Sequence, residues 1–193
     1  GGITTQGVAF GANVNTRAIL DMTAQFDFYH GGGLDVCYLS FAEVDKEGNV
    51  NVHKFNGKIM GTGGFIDISA TSKKIVFCGT LTAGGLRTEV GDGKLTITQE
   101  GRVTKFVDHL PEITFSGKVA LERGLDVRYV TERAVFTLKA DGLHLVEVAP
   151  GVDIERDIVA KMGFKPVIDK DLKQMDACIF TDAVMGFKLP DAE

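Results

Sequence analysis

Two glycine clusters are the part of this sequence best suited to chemistry. The first is Gly31-Gly32-Gly33, preceded by Phe26-Asp27-Phe28-Tyr29-His30 and followed by Leu34-Asp35. The second is Gly61-Thr62-Gly63-Gly64, followed by Phe65. Glycine serves where backbone must turn with positive φ or approach a ligand closely. Clusters beside apolar, strand-like runs point to a site built from backbone N–H groups, which suits an anionic or acyl oxygen better than a metal. The amides of Gly61, Gly63 and Gly64 are the candidate oxyanion donors, because the loop leads into a predicted helix over residues 65–70.

Side chains add less. Asn51 is a candidate for orienting a substrate carboxylate, whereas Asn49 reads as a turn residue. Glu43 follows an apolar run at a place where α/β sheets carry site residues, but reads as a partly exposed carboxylate. His30 reads as a rim histidine, and His53, His109 and His144 have no metal spacing. Glu132-Arg133 reads as a structural ion pair, and Lys73-Lys74 as a solvated helix end. Cys37, Cys78 and Cys178 are odd in number and far apart. They read as buried thiols in a reducing cytoplasm.

The elements that must hold these residues follow from pattern. Residues 1–15, with Gly1, Gly7 and Gly11, read as a loop around a short strand. Thr16 is placed to cap a helix over residues 17–22. Residues 34–41 and 74–80 are short apolar runs, expected to be buried parallel strands. Residues 86–89 and 95–98 flank a turn, and residues 134–138 and 143–148 flank Asp141-Gly142, so both pairs are predicted hairpins. Residues 153–162 form the clearest predicted helix, with acids in its first turn and Gly163 past its end. The tail after Pro166 is weakly patterned. Strand and helix first, then hairpins, predicts an α/β fold: an open, largely parallel sheet flanked by helices, with an antiparallel hairpin extension.

The totals bound the function. The chain has 193 residues, 44% of them hydrophobic, with a net charge of -5. This is the size of one domain. The acidic balance argues against nucleic acid as a partner. No apolar stretch approaches the ~18 residues that cross a bilayer, and the pattern of the opening residues predicts no signal peptide.

Seven segments in order resemble the C-terminal half of family I coenzyme A transferases, the branch of propionate and acetate CoA-transferases. They are Gln25-Phe26-Asp27-Phe28-Tyr29, Gly31-Gly32-Gly33-Leu34-Asp35, Glu47-Gly48-Asn49-Val50-Asn51-Val52, Gly61-Thr62-Gly63-Gly64-Phe65-Ile66, Ile113-Thr114-Phe115-Ser116-Gly117, Tyr129-Val130-Thr131-Glu132-Arg133-Ala134-Val135-Phe136 and Glu147-Val148-Ala149-Pro150-Gly151-Val152-Asp153. The resemblance implies a CoA-transferase/NagB-RpiA-like half occupying residues 1–193, paired with an N-terminal half of the same enzyme.

It also implies transfer of CoA between short-chain carboxylic acids, with acyl-CoA and carboxylate as substrates and no cofactor beyond the CoA thioester itself. A glutamate attacks the thioester, and CoA thiolate then takes the glutamyl carbonyl to give a glutamyl-CoA thioester. The resemblance places the 31–33 loop at the acyl and pantetheine end, and the 61–64 amides at the oxyanion or the CoA thiol. Lys73-Lys74 lie near the CoA phosphates in that reading. The family's glutamate lies a few residues before a segment like Gly1-Gly2-Ile3, so it is expected just upstream of Gly1. The 193 residues alone are then expected to be inactive, and to belong to a homo-oligomer. An acyl-CoA hydrolase on the same scaffold, or a non-catalytic binding module, are the alternatives.

Overall fold

The computed structural model of the chain describes residues 2–5, 12–55 and 57–186; Gly1, Gly7 and Gly11 of the opening loop lie outside these. Its centre is a six-stranded sheet whose strands lie side by side in chain order: β1 (Val36–Ser40), β2 (Lys74–Cys78), β3 (Asp126–Val130), β4 (Ala134–Lys139), β5 (Gly142–Val148) and β6 (Val167–Gln174). Strands β1, β2 and β3 are mutually parallel, β3–β4 and β4–β5 are antiparallel, and β6 returns parallel to β5. The fold is α/β, with a parallel half, an antiparallel meander and a parallel last strand.

Alternation within the parallel half decides which residues meet the core. Cys37, Ile75 and Val127 share one register row, and Leu39, Phe77 and Tyr129 the next. Ile75, Phe77 and Tyr129 are fully buried beneath α2 (Phe65–Thr71) and α3 (Gly117–Glu122). Phe77 is the hub of this core. It stacks on Phe65 at 5.8 Å and on Tyr129 at 5.3 Å, and meets Phe115 edge-on at 5.0 Å. The opposite face carries Tyr38, Val76 and Arg128 in one row and Ser40, Cys78 and Val130 in another. Tyr38 is 70% exposed, so this face of the parallel half is uncovered by the described residues.

A small second sheet sits at the carboxyl ends of these strands. Glu43–Asp45 pairs antiparallel with Val50–Asn51 and parallel with Phe106–Val107. The Asp45 carboxylate accepts from the amides of Glu47 and Asn49, each at 3.0 Å, and so shapes the intervening turn. Gly48 in that turn has φ +75° and gives its carbonyl to the buried Tyr129 hydroxyl.

Several expectations are corrected. The first helix is α1 (Met22–His30), capped by the Asp21 carboxylate on the Ala24 amide at 3.1 Å. Of residues 17–22 only Met22 belongs to it, since Ile19 and Leu20 find no apolar cover. Strand β1 is a sheet edge and only Cys37 in it is buried. Cys78 is exposed because it falls on the uncovered face. The expected helix over residues 153–162 is a wide π turn, Ile154–Ile158, then a 3-10 turn, Val159–Lys161. The Asp157 carbonyl there accepts from Arg133 Nη1 at 2.9 Å, which withdraws it from a helical ladder. Lys139 pairs with Gly142, so the β4–β5 turn residues are Ala140 and Asp141, one earlier than expected. The weakly patterned tail contains β6, the longest strand. The remaining hairpin forms as expected, Arg87–Gly91 with Lys94–Gln99. Among the described residues, no helix is long and apolar enough to cross a membrane.

Candidate functional site

The two glycine clusters lie at opposite ends of α2. Thr71, the last residue of α2, donates its hydroxyl to the Tyr29 carbonyl at 2.7 Å, beside the end of α1. Gly64, before the first residue of α2, packs against the Phe26 ring, where a Cβ would stand 2.7 Å from Cζ. Seven residues of helix separate them, about 10 Å.

The amides of the triplet are committed to closing α1. Gly31 donates to the Asp27 carbonyl at 2.8 Å, Gly32 to Tyr29 at 3.1 Å and Gly33 to Phe28 at 3.0 Å. Gly32 takes the φ of +87° that such a helix end demands, and a Cβ on Gly33 would lie 2.6 Å from the Phe28 carbonyl. The second cluster differs. Gly61 and Gly63 have φ of +81° and +51°, with nothing within 4 Å of where a Cβ would be. The Phe65 amide turns back to the Thr62 carbonyl at 3.1 Å. The amides of Gly61, Thr62, Gly63 and Gly64 have no acceptor among the described residues. A loop of open, unpaired amides is what an oxyanion requires.

Asn51 is buried and its amide is fully engaged. Nδ2 donates to Glu43 Oε2 at 2.8 Å and to the Lys54 carbonyl at 2.6 Å, while Oδ1 accepts from the His53 and Lys54 amides at 3.2 and 3.3 Å. Next to it stands a polar cluster that the sequence did not reveal. Thr114 Oγ1 accepts from the Val52 amide at 3.0 Å and shares a second hydrogen bond with His53 Nδ1 at 2.6 Å. The other ring nitrogen, Nε2, lies 3.7 Å from Glu112 Oε2. Lys54 holds the other Glu112 oxygen. The His53 carbonyl accepts from the Met60 amide at 2.7 Å, tying this cluster to the base of the 61–64 loop. His30 stays at the rim, with Nδ1 3.4 Å from Asp67.

A second network lies behind the ends of β2 and β3. Arg133 is fully buried, with Nη1 and Nη2 on the two Glu100 oxygens at 2.8 and 3.1 Å and Nε on Glu132 at 2.5 Å. Burial opposes ionisation of Glu100, but hydrogen bonds from Arg133, the Thr82 hydroxyl and the Gly101 amide outweigh it and pull its pKa to about 2. Glu132-Arg133 is thus the structural pair its adjacency suggested. Burial pushes the Cys37 thiol up, and partial desolvation by its neighbours does the same to the Cys78 thiol although its side chain is exposed, so neither is a ready thiolate. Among the described residues, no group of three or more His, Cys, Asp or Glu is arranged around a metal position.

Known proteins settle the family. The acetate CoA-transferase YdiF of Escherichia coli O157:H7 is 79% identical over 192 residues, covering 100% of this chain and 36% of that protein. The caffeate CoA-transferase of Acetobacterium woodii is 42% identical over 96% of this chain and 37% of its own. The chain belongs to the CoA-transferases. A crystal structure of the acyl-CoA transferase YdiF from E. coli O157:H7, a thioester complex with CoA, superposes on this CoA-transferase segment with a TM-score of 0.92. Identity there is 76%, over 100% of this chain and 36% of that one. No protein-family model matches. The segment therefore spans about 36% of the length of the curated relatives it matches first.

Proposed function

We propose that this chain is part of an acyl-CoA:carboxylate CoA-transferase acting on short-chain acids such as acetate and propionate. The observation that carries the reading is 79% identity, along the chain's full length, to a protein named acetate CoA-transferase. The unpaired amides of Gly61, Gly63 and Gly64 support it from the side of geometry. We assign them the oxygen of the acyl or glutamyl carbonyl, which becomes anionic each time a nucleophile adds. To Gly31, Gly32, Gly33 and Asn51 we assign positioning roles, because their polar groups are already committed within the fold.

The chemistry in this reading is a double exchange. A glutamate carboxylate of the complete protein attacks the acyl-CoA thioester, the C–S bond breaks, and CoA thiolate leaves behind an acyl-glutamyl anhydride. The thiolate attacks the glutamyl carbonyl and expels the acyl group as a free carboxylate, leaving glutamyl-CoA. A second carboxylate reverses both steps. Splitting the exchange this way keeps every step a displacement at an activated carbonyl. The remaining length of the full protein supplies the glutamate and the other half of the cleft, and its setting is the cytoplasm.

The test is intact-mass analysis of the full-length protein after incubation with acetyl-CoA, with and without borohydride. We expect a CoA-sized adduct that borohydride abolishes. Gly63→Val, which puts a β-branched residue where the backbone has φ +51° and so displaces the loop amides, should lower the exchange rate about 100-fold, the scale of losing an oxyanion donor. No adduct from any short acyl-CoA overturns the transferase reading. An adduct that water discharges as fast as propionate does would make the protein a hydrolase.

A further inference from the structure

Lys105 is a buried cation that the site described above does not use. It is 8% exposed, and its carbonyl accepts from the Val44 amide at 2.8 Å, so its backbone is fixed in the small sheet. Its ammonium stands 3.9 Å from the centroid of the Phe41 ring. It also lies against Gly79, where a Cβ would be 2.9 Å from Nζ and 2.8 Å from the Phe41 ring, so only glycine admits this arrangement. Phe41 follows β1, Gly79 follows β2 and Glu132 lies just past β3. The ammonium is therefore at the carboxyl ends of three parallel strands, where open α/β sheets bind ligands.

Among the described residues, no carboxylate is within ion-pair distance of Lys105 Nζ, and no acceptor is within hydrogen-bond distance. Glu132, the nearest influence of opposite sign, has both oxygens committed: Oε2 accepts from the Leu81 amide at 2.9 Å and Oε1 from Arg133. Burial, with only Glu132 opposing it, holds the ammonium below the ordinary lysine range. An unpaired buried cation costs stability, and an apolar side chain of the same shape avoids that cost. The arrangement makes sense when an anion completes it.

We propose that Lys105 is the receptor for the carboxylate of the acid that exchanges CoA, its ammonium backed by the Phe41 face and positioned by the missing side chain of Gly79. This rests on the transferase reading above and adds the group that recognises the acid. The ligand is a short-chain monocarboxylate at the carboxyl ends of β1, β2 and β3.

The experiment uses the full-length protein with Lys105→Met and Lys105→Gln, assayed for CoA exchange between acetyl-CoA and propionate. Lys105→Met should raise the KM for propionate at least tenfold, leave the KM for acetyl-CoA within twofold, and leave the melting temperature unchanged or higher. Lys105→Gln, which keeps a donor without the charge, should raise the propionate KM by an intermediate factor and serves if Lys105→Met fails to fold. A propionate KM within twofold of wild type in both folded variants overturns the assignment while leaving the transferase reading intact. So does a rise confined to acetyl-CoA, which would make Lys105 a CoA contact. Absence of exchange in the wild-type protein with any short-chain acid removes both readings.

Discussion

Arg133 shows what a buried charge requires here. Its guanidinium meets two carboxylates and the Asp157 carbonyl, and no polar atom of it is left over. Arg133→Met would leave Glu100 and Glu132 facing each other in a partly buried space. We expect a loss of about 3–5 kcal/mol in urea unfolding, the cost of breaking a buried pair from one side. The same network sets an acid limit. Glu100 has its pKa lowered from 4.5 to about 2, so its contribution is complete above pH 4.5 and fades as pH falls through about 2. Glu100→Gln should flatten that part of a melting-temperature profile against pH while lowering the plateau at neutral pH. Sequence made Glu132 and Arg133 visible because they are adjacent; Glu100 is 33 residues away and its role depends on the hairpin that carries it. Lys105 was invisible for the same reason, since what buries it comes from Phe41 and Gly79, both distant in the chain.

Elements were legible where one face is buried and one turn residue is decisive. Gly48 is such a residue: a Cβ would lie 2.6 Å from Leu138 Cδ1 and 2.9 Å from the Tyr129 hydroxyl, in a backbone with φ +75°. Gly57 shares that φ, with nothing within 4 Å. Gly48→Ala should therefore cost about 2–4 kcal/mol, strain and overpacking together, and Gly57→Ala only about 1 kcal/mol. Equal losses in thermal unfolding would show that backbone strain alone decides both. Helix α2 was readable from the 61–64 glycine loop that opens it and from its apolar run. Strand β6 was not, because its Val-Ile-Asp-Lys-Asp-Leu-Lys-Gln run is an exposed edge with little apolar alternation. The π turn was not, because a local pattern of acids and aliphatics cannot reveal that Arg133 takes a carbonyl from it.

At the scale of the molecule, the uncovered face of the parallel half is the feature with consequences. Parallel strands are ordinarily covered on both faces, yet Tyr38, Val36 and Cys78 are exposed here, and β1 has one hydrogen-bonded neighbour. We expect the isolated chain to self-associate at high concentration in sedimentation, and Tyr38→Glu to shift it toward monomer; a monomer at all concentrations would mean the face is stable in water. The family was legible from seven ordered segments, whereas the separation of the glycine clusters needed the packing of α1 on α2. One property of the sheet concerns time rather than shape. Its strands lie in chain order, β1 through β6, so each one docks on the strand made just before it. Within this sheet, a finished strand never waits for a partner beyond the next of the six. Assembly is thus vectorial, and the last strand to emerge is the exposed, charged edge that can close it without inviting another.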